Sequence, residues 1–150
     1  MTNFAPSDDW QTRVRSSFAR QGLMTTMGAA IHTVAPGIVE IVITPSPAVS
    51  QQHGFVHGGA VSALADTAAG YAAVSLMPRG TAALTTEFKI NFMAPAAGDR
   101  IIARGEVVKA GRTLTVVQTN VFAETGGERK LIALLVATIM TLDAKDGFSD

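Results

Sequence analysis

The twenty residues from Gly58 to Met77 contain seven alanines, three glycines and a single charged side chain, Asp66. Length and alanine content predict one helix over 58–77, stopped by Met77-Pro78-Arg79-Gly80. A helix on a protein surface has an apolar stripe and a polar face. This one is apolar nearly all round, so it is predicted to be enclosed by the rest of the chain. Its small side chains let neighbouring backbone come close.

The flanking sequence supplies the enclosure. Residues 7–21 read as a helix, with Ser7 as cap, Asp8 and Asp9 in the first turn and Gly22 as the stop. Trp10, Val14 and Phe18 form its one apolar stripe. β-Branched residues predict strands from Met24 to Thr33 and over 37–45, turning at Ala35-Pro36-Gly37. After Gly80 the period becomes two. In "LTTEFKINF" (84–92), Leu84, Thr86, Phe88, Ile90 and Phe92 are predicted to face one way, with Thr85, Glu87, Lys89 and Asn91 facing the other. A Pro95–Asp99 turn, a break at Ala110-Gly111 and a Gly126-Gly127 turn then separate three more strands. Hairpin-linked strands imply an antiparallel sheet and an α+β fold, in one domain over 1–150 whose core spans about 24–143.

Composition narrows the function classes. Apolar residues are 47% and charged ones 16%, which excludes a disordered chain. Net charge is zero, so nothing favours a nucleic-acid partner. With no cysteine, a thiolate nucleophile and a zinc–thiolate site are excluded. The N-terminus lacks a signal-peptide pattern, and the longest apolar run, 131–142, is shorter than the roughly twenty residues of a membrane span. A soluble cytoplasmic protein with no membrane partner is expected.

The chemistry concentrates in "QQHGFVHGGAVSALADTAAGYAA" (51–73). The first N–H groups of a helix lack internal partners and sit at its positive end. Glycine at Gly58 would let a ligand carbonyl approach them, although a Gly58-Gly59 pair also suits a plain loop-to-helix turn. Asp66 follows eight positions later, about 12 Å along a helix, among Leu64, Ala65, Ala68 and Ala69. A carboxylate there is costly unless it is paired or functional. One substrate carbon cannot touch both groups of the same chain. Two such helices packed antiparallel would set Gly58 of one opposite Asp66 of the other, which predicts a dimer with composite sites. His53 and His57 flank the loop without a nearby acidic partner, so no metal site is expected. The chain has no G-x-S-x-G elbow, P-loop or G-x-G-x-x-G motif.

The stretch "HGFVHGGAVSALADTAAGYA" resembles the signature of hotdog-fold acyl-CoA thioesterases of the phenylacetate-pathway (PaaI) type. That family carries Asn or Gln, then G-x-x-H-G-G, then L-x-D about eight residues into the helix. The similarity continues in "TTEFKINFMAPAAGD" and "VKAGRTLTVV" and covers roughly 37–142. It implies a hotdog fold, a curled antiparallel sheet around the central helix, here with an extra N-terminal helix. It further implies hydrolysis of an aryl- or medium-chain acyl-CoA by a homodimer, paired into a dimer of dimers, with no cofactor beyond the CoA of the substrate. By position, Gly58 would donate its N–H to the thioester carbonyl. Asp66 of the partner subunit would be general base or nucleophile. His57 would orient the loop and the thioester. Gln51 stands where many members have Asn, and Thr85 where some use Ser to hold the water. Lys109, Gly111, Arg112 and Thr113 match a hairpin that contacts CoA, or else form a solvated turn. Phe55, Phe88, Phe92 and Met93 are candidate acyl-pocket residues and equally good core residues.

Two other readings remain open on sequence. A hydratase or dehydratase of acyl thioesters would pair a loop histidine such as His53 with Asp66, but its loop prolines are missing. A non-catalytic acyl-CoA sensor would bind substrate without turnover.

Overall fold

The computed structural model describes residues 6–143; the first five residues, and the tail after Asp143, lie outside them. Helix α1 (Trp10–Ala19) and helix α2 (Gly22–Met27) precede strands β1 (Ala30–Ala35) and β2 (Ile38–Ile43). The long helix α3 (Gly58–Val74) follows, then β3 (Thr81–Phe92), β4 (Arg100–Ala110), β5 (Leu114–Thr125) and β6 (Glu128–Asp143). The strands form one antiparallel sheet in the order β1-β2-β4-β5-β6-β3. The sheet curls around α3, which touches β2, β3, β4, β5 and β6. This is the hotdog architecture, with additional helix at the N-terminus.

The enclosure of α3 follows from its composition. Val61, Leu64, Ala65, Ala68, Ala69, Tyr71, Ala72, Ala73 and Val74 are all buried. Small residues let β4 come so close that a Cβ on Gly105 would lie 2.5 Å from the Ala68 carbonyl oxygen. Ile41, Ile101, Val117, Leu135 and Ile139 fill the sheet side of this core, each contributing about 1.5–3 kcal/mol by burial. Thr119 is fully buried there and donates 3.2 Å to the Ala65 carbonyl, so its hydroxyl is not left unpaired. On the opposite face of β2, Glu40 accepts from Arg129 (3.1 Å) and Arg104 (3.3 Å). Burial pushes its pKa up, but the two guanidiniums outweigh this and hold the carboxyl below the usual glutamate range.

The N-terminal region differs from the sequence expectation in three ways. Asp9, rather than Ser7, occupies the cap of α1, and no side chain bonds into the helix start. The Ser7 hydroxyl is instead spent on Asp9 Oδ1 at 2.8 Å. Gly22 does not end the helical region; it opens α2, and Gly28, in the left-handed conformation (φ 66°), ends that helix. Residues 24–27 are therefore helical and not strand, because Met24 and Met27, three apart, both reach the core only from a helix. At the other end, α3 stops at Val74, where Ser75 donates to the Ala72 carbonyl and accepts from the Gly37 N–H, 2.7 Å each.

Strand β3 corrects the predicted alternation. Its register against β6 shifts between Thr85 and Glu87, so Thr86 is the extra residue of a β-bulge. Thr85 pairs with buried Ile139, while Phe88, Ile90 and Phe92 pair with buried Ala137, Leu135 and Ala133. Directly paired residues share a face, so Thr85 joins Phe88, Ile90 and Phe92 on the α3 side. A strict period of two had put it on the other face.

Candidate active site

His57 occupies the cap position of α3 and accepts at Nδ1 from the Gly59 N–H at 2.8 Å. An acceptor at Nδ1 places the proton of the neutral ring on Nε2. The loop before it is fixed by its own backbone: Gln51 N–H donates to Phe55 O (2.8 Å), and His57 N–H to Val49 O (2.8 Å). The N–H of Gly58, the first residue of α3, has no hydrogen-bond partner among the described residues. It is an unspent donor at the positive end of a helix seventeen residues long. The Gly58 Cα lies against the Phe92 ring, which a Cβ there would meet at 3.4 Å. Gln51, Phe55, Gly58, Val61, Phe92 and Pro95 line a cavity of about 200 Å³ at this point.

Asp66 lies two turns further along, half-buried, and accepts a 2.8 Å hydrogen bond at Oδ1 from the Thr85 hydroxyl. Desolvation pushes its pKa above the ordinary aspartate range, and the Thr85 bond partly opposes this. Its second oxygen makes no hydrogen bond among the described residues. Asp66 and Thr85 open into a different, larger cavity of about 510 Å³, bounded also by Ala63, Gly70, Tyr71 and Leu84. Gly58 and Asp66 of one chain thus belong to separate hollows. One hollow offers an unspent backbone donor, and the other a half-buried carboxylate with one oxygen lacking a hydrogen bond among the described residues.

The remaining candidates divide. Gln51 sits in the Gly58 cavity, but its side-chain oxygen accepts from the His53 N–H and so braces its own loop. His53 is exposed beside Gln52, and neither His53 nor His57 lines the cavity of Asp66 in the same chain. Lys109, Arg112 and Thr113 are exposed around the β4–β5 hairpin, outside both cavities. Gly111 has a steric role in that turn, since a Cβ would fall 2.5 Å from the Leu114 carbonyl oxygen. The pairings Thr115–Ile139 and Ile139–Thr85 set the hairpin at the Asp66 end of the sheet, two strands away. Phe88 and Met93, with Phe55 and Phe92, are substantially exposed rather than core. Among the described residues no three His, Cys, Asp or Glu side chains converge as a metal site, and no helix is long and apolar enough to cross a membrane. Sequence reasoning passed over Ser17, Gln21 and Leu23, which wall the Asp66 cavity from the N-terminal helices. No local motif marks them, because only the docking of α1 onto α3 brings them there.

The sequence profile of the thioesterase superfamily matches residues 53–130, from the loop before α3 into β6. The chain belongs to the thioesterase superfamily. It is 27% identical over 126 residues to the acyl-coenzyme A thioesterase PaaI of Escherichia coli, covering 83% of this chain and 85% of that one. A crystal structure of a thioesterase family protein from Silicibacter pomeroyi superposes with a TM-score of 0.87 at 51% identity, over 89% of this chain and 98% of the other. The Escherichia coli PaaI structure superposes with a TM-score of 0.81 at 24% identity, over 92% and 96%, and shares the fold. The protein is accordingly a hydrolase acting on thioesters, of the PaaI-like type.

Proposed function

We propose that this thioesterase hydrolyses acyl-CoA, with an aryl- or medium-chain acyl group, in composite sites of a dimer. The observation that carries the reading is the separation of Gly58 and Asp66 into two hollows along one helix. The outer face of α3 presents only small groups between them, exposed Gly59 and half-buried Ala60, Ser62 and Ala63. Beside it, β3 is an edge strand with a free row of backbone donors and acceptors and with Leu84, Phe88 and Phe92 exposed, as is Met93 just after it. Such an edge invites pairing with a second copy.

The register of that pairing follows from the spacing. Phe92 stands at Gly58 and Thr85 stands at Asp66, so antiparallel pairing of two β3 strands centred near Phe88 and Lys89 matches each Phe92 with the partner's Thr85 region. The same rotation brings the Gly58 N–H of one protomer to Asp66 of the other. The thioester carbonyl accepts from Gly58. Asp66, held by Thr85 through Oδ1, uses its free oxygen to take a proton from water or to attack the carbonyl itself. The oxyanion is held at the helix start, and collapse expels CoA thiolate, a good leaving group, which takes up the proton from Asp66 when water is the nucleophile. When Asp66 attacks, water then cleaves the acyl-aspartyl anhydride to release the acid. No metal or further cofactor enters this scheme. Lys109 and Arg112 stand ready for CoA phosphates, with Gly111 and Thr113 shaping the turn, while His57 keeps the Gly59 N–H occupied and the Gly58 N–H free. Pairing of dimers into tetramers and a cytoplasmic location belong to the same reading.

The test is thiol release from a panel of acyl-CoAs, followed by mixing of two inactive variants, one at Gly58 and one at Asp66. Partial recovery of activity in mixed dimers supports composite sites. No recovery in proven mixed dimers sinks them, and no CoA released from any acyl-CoA by the wild type sinks the substrate assignment. Tight binding without turnover would favour the sensor.

A further inference from the structure

Gly70 has no structural explanation within its own chain. It lies in the interior of α3, where glycine is the poorest helix former apart from proline, and alanine already fills most neighbouring positions. Gly105 and Gly111 are glycines because a Cβ would strike backbone at 2.5 Å. A Cβ on Gly70 would meet nothing within 4 Å. Gly70 is half-buried and follows Asp66 by one helical turn, so both residues lie on the same face and line the same cavity of about 510 Å³. The far wall of that cavity is tied together by side-chain contacts. The Tyr71 hydroxyl is held by Ser17 at 3.1 Å and Gln21 at 3.0 Å, and Phe18 packs edge-on against the Tyr71 ring at 5.8 Å. Leu23 of α2 forms part of the rim, 56% exposed.

We propose that Gly70 sets the bulk of the acyl group: the chain or ring beyond the thioester carbonyl passes Asp66, crosses Gly70 and ends against Ser17, Gln21 and Tyr71. The inference rests on the acyl-CoA reading above and refines it. A side chain at position 70 would fill the passage nearest the carboxylate, so large acyl groups lose more than small ones.

The experiment is a series Gly70→Ala, Gly70→Val and Gly70→Leu. Thiol release is measured with acetyl-, butyryl-, octanoyl- and phenylacetyl-CoA. Calorimetry follows binding of a ketone analogue of octanoyl-CoA with a methylene between sulfur and carbonyl. The ratio of kcat/KM for octanoyl- or phenylacetyl-CoA over acetyl-CoA should fall by about tenfold or more by Gly70→Leu. Ketone affinity should fall in step, and Gly70→Ala should melt above the wild type because its methyl meets nothing. Equal effects on all acyl groups with ketone affinity intact would overturn the inference. So would a lowered melting temperature with dimer dissociation in Gly70→Ala, which would assign the glycine to contact between copies. A wild type that releases no thiol, yet binds the ketone in a manner dependent on residue 70, would overturn the thioesterase reading and leave the pocket standing.

Discussion

Thr85 donates a 2.8 Å hydrogen bond to Oδ1 of Asp66 because the bulge at Thr86 puts its side chain on the α3 face of the sheet. Strand and helix meet here at one carboxylate that burial makes harder to ionise. The bond fixes one oxygen and leaves the other without a hydrogen bond among the described residues.

Thr85→Ala removes the contact that lowers the Asp66 pKa, so desolvation acts unopposed and the pKa rises. If Asp66 works ionised, the acid limb of the kcat/KM profile moves to higher pH, and the loss of rate is larger in acid than in alkaline buffer. Thr85→Ser should restore the wild-type limb. An unmoved limb would remove Thr85 from the control of Asp66.

Asp66→Asn should lower kcat by about 10²–10⁴-fold in the thiol-release assay. It should also stabilise the fold at neutral pH. The folded-state pKa of Asp66 lies above its unfolded value, so its favourable contribution is complete below the unfolded pKa and is lost as pH rises through the folded one. Melting temperatures of wild type and Asp66→Asn should therefore diverge as pH increases and converge in acid.

Gly58→Pro deletes the proposed oxyanion donor with little damage to the helix. Gly58 is the first residue of α3, where proline is well tolerated, and His57 (φ −60°, ψ 138°) already has the backbone that a residue before proline requires. Far-UV circular dichroism should be unchanged while kcat falls by about 10²–10³-fold. Full activity in this variant would assign the carbonyl to another donor.

Gly105→Ala would press a methyl group to within 2.5 Å of the Ala68 carbonyl oxygen and 3.0 Å of the Ala69 nitrogen. Backbone on both sides leaves no flexible side chain to yield. Chemical denaturation should show a loss of about 1–3 kcal/mol, with the slope unchanged.

Local sequence carried the parts of this protein whose causes are local. An apolar helix of small residues must be wrapped, period-two strands joined by tight turns must pair antiparallel, and the Gly58 to Asp66 spacing already separated donor from carboxylate along one helix. Tertiary contact decided what periodicity cannot encode. The bulge at Thr86 reversed the facing of Thr85, because an extra residue is recognisable only against the partner strand β6. Met24 and Met27 made residues 22–27 helical by reaching a core that the short stretch alone does not define. Ser17, Gln21 and Leu23 became the wall beside Asp66 through packing of α1 and α2 on α3, some fifty residues away in sequence. A motif fixes which groups can react, whereas the shape of the space around them depends on contacts between segments that carry no mark of each other.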